Sequence, residues 1–362
     1  MIYLDNAATT KMDQRVLDAM MPWMTENFGN ASSSYKLGRI AREAIDTARK
    51  EIAEVVGCFP NQIIFTSGGT ESDNIAMLNL RCWYNNVLTS NIEHKAVLSG
   101  RVRTCSTCHN GVIDVEDFNS KFYSVQAVSV MAVNNETGVL QPYDLIAQRC
   151  HERGIEYHVD AVQAFGHRPV SINHANYMSV SGHKINGPKG IGFLYTNVDK
   201  SRMFPWTHGG GQEFGVRSGT EAVPLIVGLA EAVKLHSNPK PVNLGWFEDR
   251  LVSECGAVIN GISCHDDPWK NIINFQLDVH NDTMIQCLSK KEIYLSAGSA
   301  CNASSSKPSH VLKAMGLTDE ECNRSLRISV GDGISAEDAD TVIQEINRIR
   351  KEQKFVDNLD EM

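Results

Sequence analysis

Short apolar runs alternate with helical stretches through the first two thirds of the chain, and no other feature restricts its fold as much. Ala41 to Val56 reads as an amphipathic helix, with Ala41, Ala44, Ile45, Ala48, Ile52 and Val55 on one face. Ile63-Ile64-Phe65 reads as a buried strand, followed by a glycine turn and a helix from Ser72 to Leu80. Val87-Leu88-Thr89 is a second strand, and Val125 to Val133 a third that ends at Asn134-Asn135-Glu136. Gly154 closes a helix from Asp144 to Arg153. Strands from Ile155 to Val159 and from Tyr177 to Val180 follow. This repetition predicts an α/β fold, a mainly parallel sheet with helices on both faces. Open sheets of that kind bind ligands at the carboxyl ends of their strands. The polar residues of interest fall at those ends.

At 362 residues the chain exceeds one average domain, so two lobes are expected. Asn238-Pro239-Lys240-Pro241 marks the break between them. A last helix is predicted from Ala336 to Lys354, with Ser335 as N-cap and Asp338 completing a capping box. Its stripe of Val342, Ile343, Ile346 and Ile349 is expected to pack on the second lobe. A net charge of −9 argues against direct nucleic-acid binding. No apolar run approaches the length of a membrane helix, and the start lacks the basic-then-apolar pattern of a signal peptide. Ten cysteines in such a chain point to reduced thiols in a cytoplasm. Cys105-Ser106-Thr107-Cys108-His109 matches a haem-attachment pattern, but attachment needs export and a zinc site needs a second ligand pair. Thr104 to Gly111 is therefore read as a loop with two thiols between strands, and no metal is expected.

Lys184 ends Ser181-Gly182-His183-Lys184, directly before the tight turn Asn186-Gly187-Pro188-Lys189-Gly190. Most lysines keep their ammonium in water on exposed faces. One placed after a buried strand, beside a serine and a histidine, suits a Schiff base to an aldehyde cofactor whose phosphate those neighbours hold. Ser67-Gly68-Gly69-Thr70-Glu71 lies between a strand and a helix and has the form of a phosphate cup, although a plain glycine turn capping a helix has the same pattern. Asp160 suits pairing with a protonated pyridine nitrogen or capping the next helix. His94 suits stacking on a flat ring, proton transfer, or a plain hydrogen-bonded role. Asn135 suits a ring hydroxyl or the shaping of a turn. Leu326, Ile328 and Val330 share one strand face, so Arg327 and Ser329 point the other way. If that face borders the cleft, the guanidinium fork suits an α-carboxylate; otherwise it is solvated. Cys301 lies among small polar residues from Ser296 to Pro308, a loop expected to be mobile with its thiol accessible. Cys287, between Ile285 and Leu288, reads instead as a buried structural thiol.

Several motifs are long enough to be specific: Tyr3-Leu4-Asp5-Asn6-Ala7-Ala8-Thr9-Thr10, Phe65-Thr66-Ser67-Gly68-Gly69-Thr70-Glu71-Ser72, Val133-Asn134-Asn135-Glu136-Thr137-Gly138, Ser181 to Lys184 and Arg217-Ser218-Gly219-Thr220-Glu221. Running on to Leu326-Arg327-Ile328-Ser329, they resemble the cysteine desulfurase family of fold type I pyridoxal-phosphate enzymes. The cysteine loop, with Pro308-Ser309-His310-Val311-Leu312 after it, is similar to the subgroup with a long mobile loop. The resemblance implies a large domain over 13–245 with a mainly parallel seven-stranded sheet flanked by helices. Residues 1–12 and 246–362 would form a smaller α+β domain carrying the cysteine loop. It implies pyridoxal 5'-phosphate, with Lys184 in the Schiff base, Asp160 on the ring nitrogen, and Gln163 and Asn135 on the ring oxygen. Gly69, Thr70, Ser181 and His183 would hold the phosphate. Thr220 would reach the phosphate in the neighbouring subunit of a homodimer. His94 would cover the ring and move protons, and Asn135 and Arg327 would bind the substrate carboxylate. The implied reaction converts L-cysteine to L-alanine, leaves a persulfide on Cys301, and passes sulfur to an acceptor protein for iron–sulfur assembly or nucleic-acid thio-modification. Another lyase or aminotransferase of the same fold, or a silent subunit of a sulfur-transfer complex, are the alternatives. Phe214 stands where many relatives have an arginine, and Tyr35 where a histidine is common. The chain stops soon after its last helix, where housekeeping members carry a longer tail that docks a scaffold protein; a specialised acceptor is then expected.

Overall fold

The structure, a computed structural model, describes residues 1–298 and 308–360. Its strands are β1 (Ile2–Tyr3), β2 (Ile63–Thr66), β3 (Val87–Ser90), β4 (Arg103–Cys105), β5 (Ala127–Met131), β6 (Glu156–Asp160), β7 (Tyr177–Ser181), β8 (Gly192–Thr196), β9 (Val258–Ile259), β10 (Ile272–Gln276), β11 (Ile293–Tyr294) and β12 (Ser325–Ser329). Its helices are α1 (Gln14–Thr25), α2 (Lys36–Val56), α3 (Gly69–Trp83), α4 (Lys95–Leu98), α5 (Val115–Phe122), α6 (Tyr143–Glu152), α7 (Val223–Leu235), α8 (Gly245–Cys255), α9 (Asn281–Ser289), α10 (His310–Ala314), α11 (Asp319–Asn323) and α12 (Ala336–Asp360).

Seven strands form one sheet in the order β2-β8-β7-β6-β5-β3-β4. β8 runs antiparallel to both neighbours and the other pairings are parallel, so the sheet is mainly parallel, as the β-α alternation predicts. Successive side chains of a strand face opposite ways. Ile63 and Phe65 accordingly join the larger core with α1, α2 and α7, while Ile64 joins Ile75, Ala76 and Leu80 of α3 on the other face. A second core surrounds the antiparallel sheet β12-β10-β9. There Leu326, Ile328 and Val330 pack with Phe247 and Leu251 of α8 and with Val342, Ile343, Ile346 and Ile349 of α12. Leu4, far away in sequence, belongs to this second core.

Helix boundaries depart from the apolar periodicity because backbone groups, not stripes, set them. α2 begins at Lys36 and not at Ala41, and α3 at Gly69 and not at Ser72. α12 begins as predicted: Ser335 Oγ accepts from Asp338 N–H at 3.1 Å and donates to the Asp338 carboxylate at 2.9 Å. It continues past Lys354 to Asp360, since residues 351–360 hold neither glycine nor proline to stop it. β5 is shorter than the predicted 125–133 strand. Thr104 and Cys105 lie in β4, so the loop expected there is shorter; Cys105 is buried and Cys108 exposed. Cys287 is only half-buried, because it sits at the edge of the second core. Among the described residues, no helix is long and apolar enough to cross a membrane, and no group of His, Cys, Asp or Glu could hold a metal ion.

Ile346 is fully buried between α12 and the second sheet. Ile346→Ala is expected to cost about 2–5 kcal/mol in denaturant titrations, against about 0.5 kcal/mol or less for the exposed Leu145→Ala.

Candidate active site

The carboxyl ends of five strands converge on one cavity of about 450 Å³. Gly69 and Thr70 follow β2, His94 follows β3, Asn135 follows β5, Asp160 ends β6, Ser181 ends β7, and His183 and Lys184 follow it. Gln163 and, from the second sheet, Arg327 complete the wall. Thr220 is exposed and does not line the cavity of its own chain. Cys301 lies outside the described residues.

Lys184 sits at the end of a single 3-10 turn, Gly182–Lys184. Its Nζ donates to the carbonyl of Ala7 and, at 2.9 Å, to that of Ala8. Asp160 Oδ1 accepts from Val162 N–H at 2.9 Å. Residues 162–164 form turns and no helix begins there, so the helix-cap reading of Asp160 does not hold. Burial pushes the Asp160 carboxyl up; the Val162 N–H, His94 and Lys184 oppose that push. His94 caps the short α4, its Nδ1 accepting from Ala96 N–H at 3.2 Å. Burial lowers its pKa, so the ring is neutral with its proton on Nε2. Asn134, not Asn135, shapes the turn: its Oδ1 accepts from the N–H groups of Glu136 and Thr137 at 2.9 and 3.0 Å. Asn135 is left to line the cavity.

Arg327 is not a solvated arginine. It is 1 % exposed, with Nη2 on Asp5 Oδ1 at 2.6 Å and Nη1 donating to the Asn135 carbonyl at 2.8 Å. On the far wall, Gly68 and Gly69 bring the start of α3 against the β6–β7 connection. A Cβ on Gly69 would stand 2.5 Å from Val162 Cγ2, so only glycine fits. The first N–H groups of α3, with the hydroxyls of Thr70 and Ser181 beside them, form an anion cradle. His183 Nδ1 pairs with Thr9 Oγ1 at 3.1 Å, and burial with nearby Lys184 and Lys189 lowers its pKa to about 4. Together these donors fit a phosphorylated aromatic aldehyde: an amine in reach, a carboxyl at the floor and an anion cradle at one end.

The sequence reading missed the floor. Asp73, 1 % exposed, lines the cavity and burial pushes its carboxyl well up, with Asp160 and Glu93 adding repulsion. His158 is held between Ser129 Oγ (2.8 Å) and Ser179 Oγ (2.9 Å), and burial lowers its pKa to about 3. Glu93 accepts from Ser90 Oγ at 2.6 Å and Met131 N–H at 3.0 Å, and burial raises it to about 8. An acidic residue on the apolar face of α3, among Ile75 and Ala76, was the available signal for Asp73. Phe214 and Tyr35 lie elsewhere. Phe214 covers the buried Arg49–Glu213 pair, 5.1 Å from the guanidinium, and Tyr35 is exposed just before α2.

Glu93 keeps its proton in the folded protein up to about pH 8, whereas an unfolded chain releases it near pH 4.3. Between those values the folded state binds more protons, so stability falls as pH rises through that window. Glu93→Gln is expected to melt like wild type near the lower limit. Near the upper one it should be more stable by at least about 1 kcal/mol, which is a few °C in thermal melts of the apo-protein.

The Aminotransferase class-V family profile matches residues 2–342. The cysteine desulfurase IscS of Escherichia coli (strain K12 / DH10B) is 40% identical over 375 residues, 96% of this chain and 92% of its own. The solved structure of SspA in complex with cysteine superposes with a TM-score of 0.80 at 33% identity, covering 92% of this chain and 100% of that one. DndA from Streptomyces lividans superposes with a TM-score of 0.74 at 37% identity, covering 90% and 99%. Likeness of this extent, over a cavity with this donor set, makes the chain a member of the class-V aminotransferase family, in its cysteine desulfurase group.

Proposed function

We propose that this chain is a cysteine desulfurase. It takes L-cysteine, releases L-alanine and leaves the sulfur as a persulfide on Cys301 for an acceptor protein. The observation that carries the reading is the convergence of Lys184, Asp160, His94 and Arg327 on one cavity beside an anion cradle. The relatives named cysteine desulfurase and the neighbour solved with cysteine support it.

Family members use pyridoxal 5'-phosphate, which when bound supplies the electron sink for charge left at the substrate Cα. Gly69, Thr70, Ser181 and His183 hold its phosphate. Asp160 keeps a proton on the ring nitrogen, and Gln163 and Asn135 meet the ring oxygen. Arg327 and Asn135 bind the substrate carboxylate. Lys184 takes the proton from Cα, and His94 exchanges protons through Nε2. The Cys301 thiolate attacks the substrate sulfur; the carbon–sulfur bond breaks, its electron pair stays with Cβ, one proton completes the methyl group and Lys184 returns another to Cα to give alanine. No external oxidant is needed, because one thiol becomes a persulfide as one carbon–sulfur bond becomes carbon–hydrogen. The stems beside Cys301 support its reach. Ser296 pairs with the Arg327 backbone (2.6 and 3.2 Å), and Ser309 Oγ donates to Glu136, next to Asn135. Thr220 serves the partner's site in a homodimer. The nine cysteines among the described residues are all free, which supports a reducing cytoplasm.

Lys184→Ala is expected to abolish alanine formation from cysteine, and Cys301→Ser to abolish the protein persulfide in a thiol-trapping assay. Alanine made at the normal rate without Lys184 would end the reading. Persulfide chemistry indifferent to Cys301 would favour another reaction of the same fold. Arg327→Lys keeps a charge for Asp5 but loses the fork, so KM for cysteine should rise roughly tenfold; an unchanged KM removes Arg327 from substrate binding.

A further inference from the structure

We propose that His167 is a positioning residue for Lys184: its Nε2–H holds the Lys184 carbonyl and so fixes where the amine stands. The inference rests on Lys184 carrying the cofactor. His167 itself does not line the cavity and has no part in the chemistry above.

A single 3-10 turn cannot hold itself in place, since the carbonyls at its end have no partner within it. The Gly182 carbonyl accepts from the N–H groups of Ile185 and Gly187 at 3.1 and 3.0 Å, but the carbonyls of His183 and Lys184 find their partners elsewhere in the chain. The His183 carbonyl accepts from both the N–H and the hydroxyl of Thr10, each at 2.9 Å. The next carbonyl, that of Lys184, accepts from His167 Nε2 at 2.8 Å. The turn that carries His167 is pressed against the same segment. Gly166 adopts φ +79°, and a Cβ there would stand 2.5 Å from Ile185 Cγ2. His236 completes the mount: its ring meets that of His167 edge-on at 6.3 Å between centroids, and its Nδ1 lies 3.3 Å from the Gly166 carbonyl.

The chemistry of the ring makes this contact one-way. Burial lowers the His167 pKa to about 4, so the imidazole is neutral at working pH and has one proton. A carbonyl only accepts, so that proton sits on Nε2. Lysine is a long side chain, and its nitrogen is aimed by where its Cα stands as well as by its rotamers. Misplacement by about 1 Å costs up to 10²-fold in reactions that need near-attack geometry. Thr10 fixes one end of the His183–Lys184 peptide pair and His167 the other.

The test follows covalent attachment and not turnover. Apo-protein is mixed with pyridoxal 5'-phosphate, quenched with borohydride at intervals, and the reduced adduct on Lys184 is counted by mass spectrometry. His167→Phe keeps an aromatic ring against His236 but has no donor; attachment should slow roughly tenfold while the protein stays folded, its melting midpoint lower by a few °C. His167→Gln keeps a donor and should return the rate to within about threefold. Attachment at the wild-type rate in His167→Phe overturns the proposal. So does a glutamine variant as slow as the phenylalanine one, because the donor would then not be the cause. Should His167→Phe fail to fold, imidazole ¹⁵N shifts of the wild-type protein decide: a proton on Nδ1 overturns the assignment, and one on Nε2 supports it. Wild-type protein that forms no adduct on Lys184 would instead end the desulfurase reading, and this inference with it.

Discussion

Asp5 to Thr10 crosses from the second core to the main sheet, and the cavity exists because that short segment is satisfied on both sides. Ala7 N–H donates to Ser329 Oγ at 2.9 Å, while the Ala7 carbonyl accepts from Gln163 at 3.0 Å and from Lys184. Asp5 takes Arg327 of β12, and Thr10 takes the His183 carbonyl and the Asn186 N–H. A buried polar group left without a partner costs about 1–3 kcal/mol, so the segment cannot slide toward one core without losing bonds to the other. That is why a lysine from the parallel sheet and an arginine from the antiparallel one face a common space.

The floor of that space sets the charge. Asp73 and Asp160 are buried along it and Glu93 is buried next to His94, and three charged carboxylates so close in a low-dielectric site are too costly to coexist. They differ in their partners. Asp160 has the Val162 N–H, His94 and Lys184 to favour its ionised form; Asp73 has Ser179 to favour its own, against repulsion from two acids. Glu93 has two donors on one oxygen and none on Oε2. Burial raises all three carboxyls, and Asp160 is the one beside which the proposed reaction places a protonated ring nitrogen. His158, neutral between two serines, adds no charge of its own.

Much of this was legible in the chain. The β-α alternation foretold the sheet, and His94, Asn135, Asp160 and Lys184, singled out after apolar strands, line one cavity. β8 was not read, although Gly192 to Thr196 is wholly buried. A five-residue apolar run has no period that separates a strand from a piece of buried helix. Asp73 and His158 escaped because a polar residue inside an element reveals its role only through what surrounds it. His167 escaped for the same reason: its partner is a backbone carbonyl seventeen residues on, and a carbonyl carries no side-chain signature.

What the residues determined alone was chemistry by type: which strands form, which glycines open a cradle, and which amine, carboxyl and guanidinium are available. Those follow from local periodicity and from the reach of each side chain. Tertiary structure decided their company. It buried Arg327 against Asp5, turned the Ala7 and Ala8 carbonyls toward Lys184, and set Asp73 and Asp160 along one cavity. Burial and long-range partners decide charge and aim, and both depend on residues far apart in the chain.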